Sequence, residues 1–294
     1  DGIRDCLLSR GLGDVYKRQG SSYSPIDVAE LRRRVPSLTG GGPESRLPII
    51  GALVHKEAAT CRHDGVAWGY ARSASTRGVE IHQHTEVKSL LRDKDGTIKG
   101  LETNRGTVLA KKVAVVVSGH TTTITETAGL RLPIKSFNLA AFVSEPVKPL
   151  IDVIVNCPDL GVYVNQSDKG ELVIGGAPDP GQSFRRDVKQ NVFEEAVVTM
   201  LELFPAFRRL KLLRQWGGVL DIAHDATPII SATDIPGLFV SCGWWGGFKA
   251  VPAGGYSLAH LIATGQPHNI AAPFTLDRFH HLDFVVESGT TTAR

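Results

Sequence analysis

The sequence predicts a mixed α/β fold in which an α/β layer is interrupted by an antiparallel sheet. Three observations carry that expectation. Val113–Val117 is a continuous run of β-branched and small apolar residues, the pattern of a strand buried on both faces, and Leu238–Ser241 reads as a second buried strand. A helical pattern and the strand-like Val79–His82 are joined through the single turn residue Gly78, as in an α/β layer. From about Pro133 the texture changes to strand-like segments paired across a polar turn. The layer is entered on both sides of that stretch. It is therefore expected to be discontinuous, over residues 45–130 and 215–273, around an antiparallel domain at 131–214.

Taken in order, Ser24-Pro25 opens a short basic helix that runs to about Val35, where Pro36 and Gly40-Gly41-Gly42-Pro43 end it. Short strand-like pieces follow around Leu47–Val54. Arg62–Arg77 puts Val66, Ala67, Tyr70, Ala71 and Ala74 on one helical face. Glu86–Arg92 and Ile98–Thr103 flank Asp93-Lys94-Asp95-Gly96, a hairpin signal. In the antiparallel stretch, Ser136–Val143 is a strand, and Val162–Asn165 and Glu171–Ile174 pair across Ser167-Asp168-Lys169-Gly170. One amphipathic helix follows, with Val188, Val192, Ala196, Met200 and Phe204 beside Phe193, Val197 and Leu201, and Pro205 stops it. The last helix spans about Ala253 to Thr264, before Gly265 and Pro267.

Composition narrows the function classes. The 294 residues are 42% hydrophobic and 21% charged, ordinary globular values that argue against disorder or fibrous repeats. A formal net charge of +3, well mixed along the chain, gives no reason to expect nucleic acid or an anionic membrane as partner. No apolar run approaches the roughly 18 residues of a membrane span. Cys6, Cys61, Cys157 and Cys242 are scattered without a CxxC pair and read as reduced thiols, so a cytoplasmic location is expected. The first residues fit no domain start. Cys6 to Gln19 resembles translated sequencing-adapter read-through, and residues 1–20 are expected to be a non-native tail, with a second tail at 274–294.

The segment richest in chemistry is Val240-Ser241-Cys242-Gly243-Trp244-Trp245-Gly246-Gly247-Phe248-Lys249-Ala250-Val251-Pro252. A buried strand runs into a loop with three glycines and then into a helix. Glycines let backbone N–H groups approach a ligand, and a helix N-terminus favours negative charge. Lys249 offers a cation to a carboxylate or to an electron-rich ring edge. A tight strand-to-helix turn with a surface lysine has the same pattern. No Gly-x-Gly-x-x-Gly follows a buried strand; Gly11-Leu12-Gly13 has Tyr16 where the third glycine belongs.

That loop, Arg62-His63-Asp64-Gly65-Val66-Ala67-Trp68-Gly69-Tyr70-Ala71-Arg72 and Ala272-Pro273-Phe274-Thr275-Leu276-Asp277-Arg278-Phe279 together resemble the β subunits of heterotetrameric sarcosine oxidases. These belong to the D-amino-acid-oxidase-like flavoprotein superfamily. The resemblance runs from about Pro48 to Phe279. It implies a Rossmann-like FAD-binding domain, here lacking its first βαβ unit, with an inserted antiparallel substrate domain. It further implies non-covalent FAD, covalent FMN, and α, γ and δ partner subunits, with NAD and folate sites in α. The implied reaction oxidises sarcosine to glycine and formaldehyde, passing electrons from FAD through FMN to oxygen.

Carried over residue by residue, His63 matches the histidine that bears FMN, and Val87 the strand residue whose backbone meets the adenine. Gly119 and His120 match the return of the chain to the dinucleotide. Gly243, Gly247 and Lys249 match the loop that holds the flavin ring and, through lysine, the substrate carboxylate. Cys242 to Lys249 is one residue shorter than the family pattern and carries an additional tryptophan, Trp245. Asp221, His224 and Asp225 lie in a loop the family places near the flavin, although an Asx-type turn before Pro228 fits equally. His82 and His84 alternate as a weak metal pair with no evident third ligand, so no metal is expected.

Two other readings stay open, an FAD-dependent dehydrogenase or demethylase of another secondary amino acid, and a non-catalytic fragment. With the glycine fingerprint and the first strand missing, Val113–Val117 and Leu238–Ser241 are expected to lack a partner and expose an apolar edge. The chain as given is then expected to be poorly soluble, to bind no FAD and to be inactive.

Overall fold

The computed structural model describes residues 22–46 and 48–285. The expected tail at 1–20, Cys6, the Gly11-Leu12-Gly13 pattern and the last residues of the chain lie outside them. The chain opens with β1 (Tyr23–Ile26), paired antiparallel to β2 (Ala52–His55). Between them lies α1 (Val28–Arg34), whose N-cap is Asp27: its carboxylate accepts the Glu30 N–H at 2.8 Å. Ser24-Pro25 therefore sits in β1 and does not start the helix.

The helix expected over Arg62–Arg77 is α2 (His63–Ser75). Its apolar face is not covered: the helix buries no residue, and Trp68 and Tyr70 are 65% and 56% exposed. Val79–His82 is not a strand. It runs irregularly beside α2, with Val79 and Ile81 exposed and His84 at φ 55°. Strand propensity needs a neighbouring strand to pair with, and among the described residues none is hydrogen-bonded to this stretch. His82 and His84 consequently do not alternate on a sheet face; His82 Nε2 instead lies 3.2 Å from the Glu80 carboxylate.

A three-stranded antiparallel sheet follows, made of β3 (Val87–Arg92), β4 (Ile98–Thr103) and β5 (Gly106–Leu109). Its first turn has the predicted chemistry: Asp93 Oδ1 accepts from the Asp95 and Thr97 amides, and Gly96 supplies φ 85°. β6 (Val113–Val115) is shorter than expected. Val113 and Val115 are buried while Ala114, Val116 and Val117 are exposed, so this strand is covered on one face and not on both. A 3₁₀ turn, Ser118–His120, leads into α3 (Thr121–Thr125).

The antiparallel stretch forms a five-stranded sheet from β7 (Ile134–Pro146), β8 (Val155–Cys157), β9 (Val162–Gln166), β10 (Glu171–Gln182) and β11 (Leu212–Ala223), in the order β11-β7-β10-β9-β8. α4 (Gln190–Leu203) covers it, burying Val192, Ala196, Thr199, Met200 and Leu203 at helical spacing. With Phe142, Val164 and Leu172 from the sheet, Val192, Ala196, Met200 and Leu203 make one core.

The last sheet contains β12 (Ile229–Ala232) and β13 (Leu238–Cys242), in the order β12-β13-β6. β13 is buried along its whole length and pairs parallel to β6, Leu238 opposite Val113 and Val240 opposite Val115. The two strands expected to lack partners thus partner each other, and β12 closes the far side antiparallel to β13. Behind them Val115, Leu238, Val240 and Leu276 form a second core. α5 (Val251–Thr264) packs Leu258 and Leu261 on Ile230 and Phe239, and α6 (Asp277–His281) closes the described chain. Among the described residues no helix is long and apolar enough to cross a membrane.

Candidate functional site

The parallel pairing of β6 and β13 brings their carboxyl ends to one edge. From β6 the chain turns through Ser118-Gly119-His120; from β13 it enters the loop Gly243–Lys249 and then α5. In open α/β sheets ligands bind in the crevice outside the carboxyl ends of parallel strands. Gly119, His120, Gly243, Gly247 and Lys249 all lie on these two turns.

The antiparallel sheet holds both turns through polar contacts. Asp221 of β11 and Ser136 of β7 are register partners. Ser136 Oγ donates to the Gly119 carbonyl at 2.6 Å. Ser118 Oγ donates to Asp221 Oδ1 at 2.8 Å, and the Gly243 N–H donates to Asp221 Oδ2. Thr121 Oγ1 completes the first turn by donating to the Ser118 carbonyl at 2.7 Å.

Close approach explains the glycines. A Cβ on Gly119 would sit 2.4 Å from Val219 Cγ1, so any side chain would push the turn away from β11. Gly243 has φ 74°, and a Cβ there would lie 2.8 Å from that of Ala223. Trp244 fills the inside of the loop. Its indole N–H donates to Ser241 Oγ at 3.0 Å, and its ring occupies the space beside Gly254 of α5. Lys249 is exposed and donates from Nζ to the Gly246 carbonyl at 3.0 Å. Trp245 and Phe248 are exposed on the same loop.

The remaining predicted residues stand apart. Val87 begins β3, half-buried and paired with Thr103, and His63 begins α2, exposed beside the Arg62–Asp64 ion pair. Among the described residues no hydrogen bond ties either to the β6–β13 edge. His120 does reach a residue that the sequence did not single out: its ring meets Phe184 edge-on at 5.6 Å, where the loop after β10 crosses the edge.

Asp221 and Asp225, read together from the sequence, do different work. Asp225 forms the Asx-type contact, accepting the Thr227 N–H at 3.3 Å. It also pairs with Arg278 of α6 through bonds of 2.7 and 2.9 Å, and both side chains are only 3% exposed. Arg278 further donates to the Thr227 carbonyl. Burial pushes the Asp225 carboxyl up, and the Arg278 hydrogen bonds and charge outweigh it, leaving the group below the ordinary carboxylate range. Its stabilising contribution is therefore complete above the unfolded value near pH 4 and lost as pH falls through the lower folded value. Arg278→Met leaves the carboxylate buried without its partner and is expected to cost about 3–5 kcal/mol at neutral pH. Denaturant melts of variant and parent, run from pH 7 downwards, should converge in acid; a constant difference would contradict the assignment. Beside it, burial and then the Asp221 charge hold the Cys242 thiol protonated.

Comparison with known proteins gives a consistent picture. The family profile "FAD dependent oxidoreductase" matches residues 8–261. The chain is 45% identical over 264 residues to sarcosine oxidase subunit beta of Rhodobacter capsulatus, covering 90% of this chain but 63% of that protein, less than two thirds of its length. It is 40% identical to the Rhizobium meliloti subunit beta, covering 98% of this chain and 70% of that protein. Among solved structures it superposes on L-proline dehydrogenase from P. horikoshii with a TM-score of 0.80 at 24% identity, over 91% of this chain and 71% of that one. Glycine oxidase from Geobacillus kaustophilus gives 0.78 at 22% identity, over 90% and 69%.

Proposed function

The chain belongs to the FAD-dependent oxidoreductase family, and on that footing we propose that it oxidises sarcosine to glycine and formaldehyde as the β subunit of a heterotetrameric, cytoplasmic sarcosine oxidase. The observation that carries this reading is the β6–β13 edge, where the Ser118–His120 turn and the Gly243–Lys249 loop are bonded to one carboxylate beside the start of α5. The residues present fit the flavin end of FAD. The exposed Trp245 and Phe248 offer apolar surface to a ring and Lys249 offers a cation, all beside the start of α5, whose Val251 N–H is already given to the Gly247 carbonyl. The diphosphate fingerprint is not among these 294 residues.

When bound, FAD supplies the two-electron oxidation of the substrate C–N bond. The chain orients the substrate. Lys249 is the one charged residue between Gly243 and Ala250, and its ammonium, steadied by the Gly246 carbonyl, pairs with the substrate carboxylate. Gly119, His120, Gly243 and Gly247 bring backbone close to the ring, and Val87 meets the adenine end. His63 carries the covalent FMN. The proposed partners are the α, γ and δ subunits.

A second reading, a dehydrogenase or demethylase of another secondary amino acid, draws on Trp245, an additional exposed tryptophan in a loop one residue shorter than the family pattern. Both are tested in the complete protein assembled with its partner subunits. Sarcosine should yield formaldehyde and hydrogen peroxide in equal amounts. Turnover of proline with an artificial acceptor, and none of sarcosine with oxygen, would favour the second reading.

A further inference from the structure

We infer that Asp221 is a positioning residue: its buried carboxylate pins the Ser118–His120 turn to the Gly243–Lys249 loop and so fixes the cleft between the carboxyl ends of β6 and β13. The inference deepens the proposed function and rests on it only for what the cleft binds.

The geometry leaves little else for this side chain to do. Asp221 is fully buried, yet no Lys, Arg or His forms an ion pair with it among the described residues. Its two oxygens are divided between two segments that are distant in sequence, Oδ1 to the Ser118 hydroxyl and Oδ2 to the Gly243 amide. A buried carboxylate held by neutral donors is expensive, and an apolar residue on β11 would fill the same place without that cost. What the carboxylate adds is a link between two loops. Both linked residues have left-handed backbone, Ser118 at φ 48° and Gly243 at φ 74°. Such conformations persist where the surroundings over-determine them.

The link also sets a direction. With the Gly243 N–H turned back onto Asp221, the loop leaves β13 so that Gly246 takes φ 67° and its carbonyl meets Lys249 Nζ. Asp221 thereby acts on the substrate carboxylate through Lys249, and on the ring through Gly119 and Gly243. Ser136, its register partner, steadies the first turn but does not reach the second, so it cannot replace the link.

Asparagine separates linkage from charge. Its amide oxygen can accept the Gly243 N–H while its NH₂ donates to the Ser118 hydroxyl, without a negative charge. Alanine removes both links. The measurements are amide hydrogen exchange over 238–250, the labelling rate of the Cys242 thiol, and sarcosine kinetics, all on the full protein with its partner subunits. For Asp221→Ala, exchange and Cys242 labelling should rise about ten- to a hundredfold, the size of effect left when a buried donor loses its acceptor. Exchange over the β7–β11 ladder should stay within about twofold, because that ladder is backbone-bonded independently. The sarcosine KM should rise by about tenfold or more, and Asp221→Asn should return it to within about threefold of the parent.

Unchanged exchange over 238–250 in the alanine variant would overturn the inference. Equal loosening of the β7–β11 ladder would overturn it too, by showing support of the fold at large, and so would an asparagine variant as impaired as alanine. Should the parent protein not oxidise sarcosine, the proposed function fails, while exchange and thiol labelling still decide the role of Asp221.

Discussion

Replacing His63 with alanine is expected to abolish acid-stable flavin in the assembled protein. A covalent flavin survives acid precipitation and a non-covalent one does not, so the readout is all or none. His63 is the first residue of α2, ahead of a helix that buries none of its side chains. Its imidazole is exposed, its neighbours Arg62 and Asp64 are occupied with each other, and its backbone is held by the helix. Such a ring is free to reach a carbon on a cofactor bound outside this chain's own core. The exposed Trp68 and Tyr70 on the same helix suit a surface completed by other protein. Proteolysis of the parent should yield one flavin-bearing peptide containing His63. A His63→Ala protein that keeps its acid-stable yellow colour would remove FMN from this position, while leaving the reading of the β6–β13 edge untouched.

Which features could be read from the sequence follows from how local their causes are. α4 was legible because Val192, Ala196 and Met200 repeat at helical spacing on a face that is then buried. β13 was legible as a short apolar run, and it is buried at every position. The Asp93–Gly96 turn carries its own side-chain acceptor and its own positive φ. Features that depend on a partner leave a false local signal or none. Val79–His82 has strand-forming residues, but among the described residues no strand pairs with it. β11 gives no clear strand signal although it is twelve residues long, because Gly217 and Gly218 interrupt its pattern. The reason for Gly217 lies on another strand: a Cβ there would sit 2.3 Å from the Asn138 amide.

The same distinction divides the site. The glycines at 119, 243 and 247 mark it in the sequence, since close approach demands them wherever the chain turns back on itself. Asp221 joins residues 103 and 22 positions away, and Asp225 meets Arg278 across 53. No spacing rule reaches so far. The two aspartates looked like one polar loop before a proline, and only the fold assigns one to the ligand edge and the other to a buried ion pair. Phe184, which meets His120, is similarly invisible until the loop after β10 is seen to cross the edge.

Lys249→Met is expected to lower kcat/KM for sarcosine by about two to three orders of magnitude, within the range for removing one partner of a desolvated charge pair. In the structure no acidic side chain forms an ion pair with Lys249 among the described residues, and one of its three ammonium donors is given to the Gly246 carbonyl. Two donors remain, on a side chain fixed by that bond beside the exposed Trp245 and Phe248. Methionine keeps the length and apolar character of the stem and loses only the charge and the donors. The substrate carboxylate takes no part in the loss of hydride from the N-methyl carbon, so its contact is equally strong before and during reaction. The loss should therefore fall mainly on KM, with kcat changed little. An N-methyl amine without a carboxylate supplies the control, because parent and variant should turn it over at similar kcat/KM. Lys249→Arg should recover part of the loss for sarcosine, its fork being able to reach a carboxylate from the same loop. Near-parental kcat/KM for sarcosine in the methionine variant would show that the carboxylate is held elsewhere, and would leave Lys249 as no more than the last residue of a tight loop.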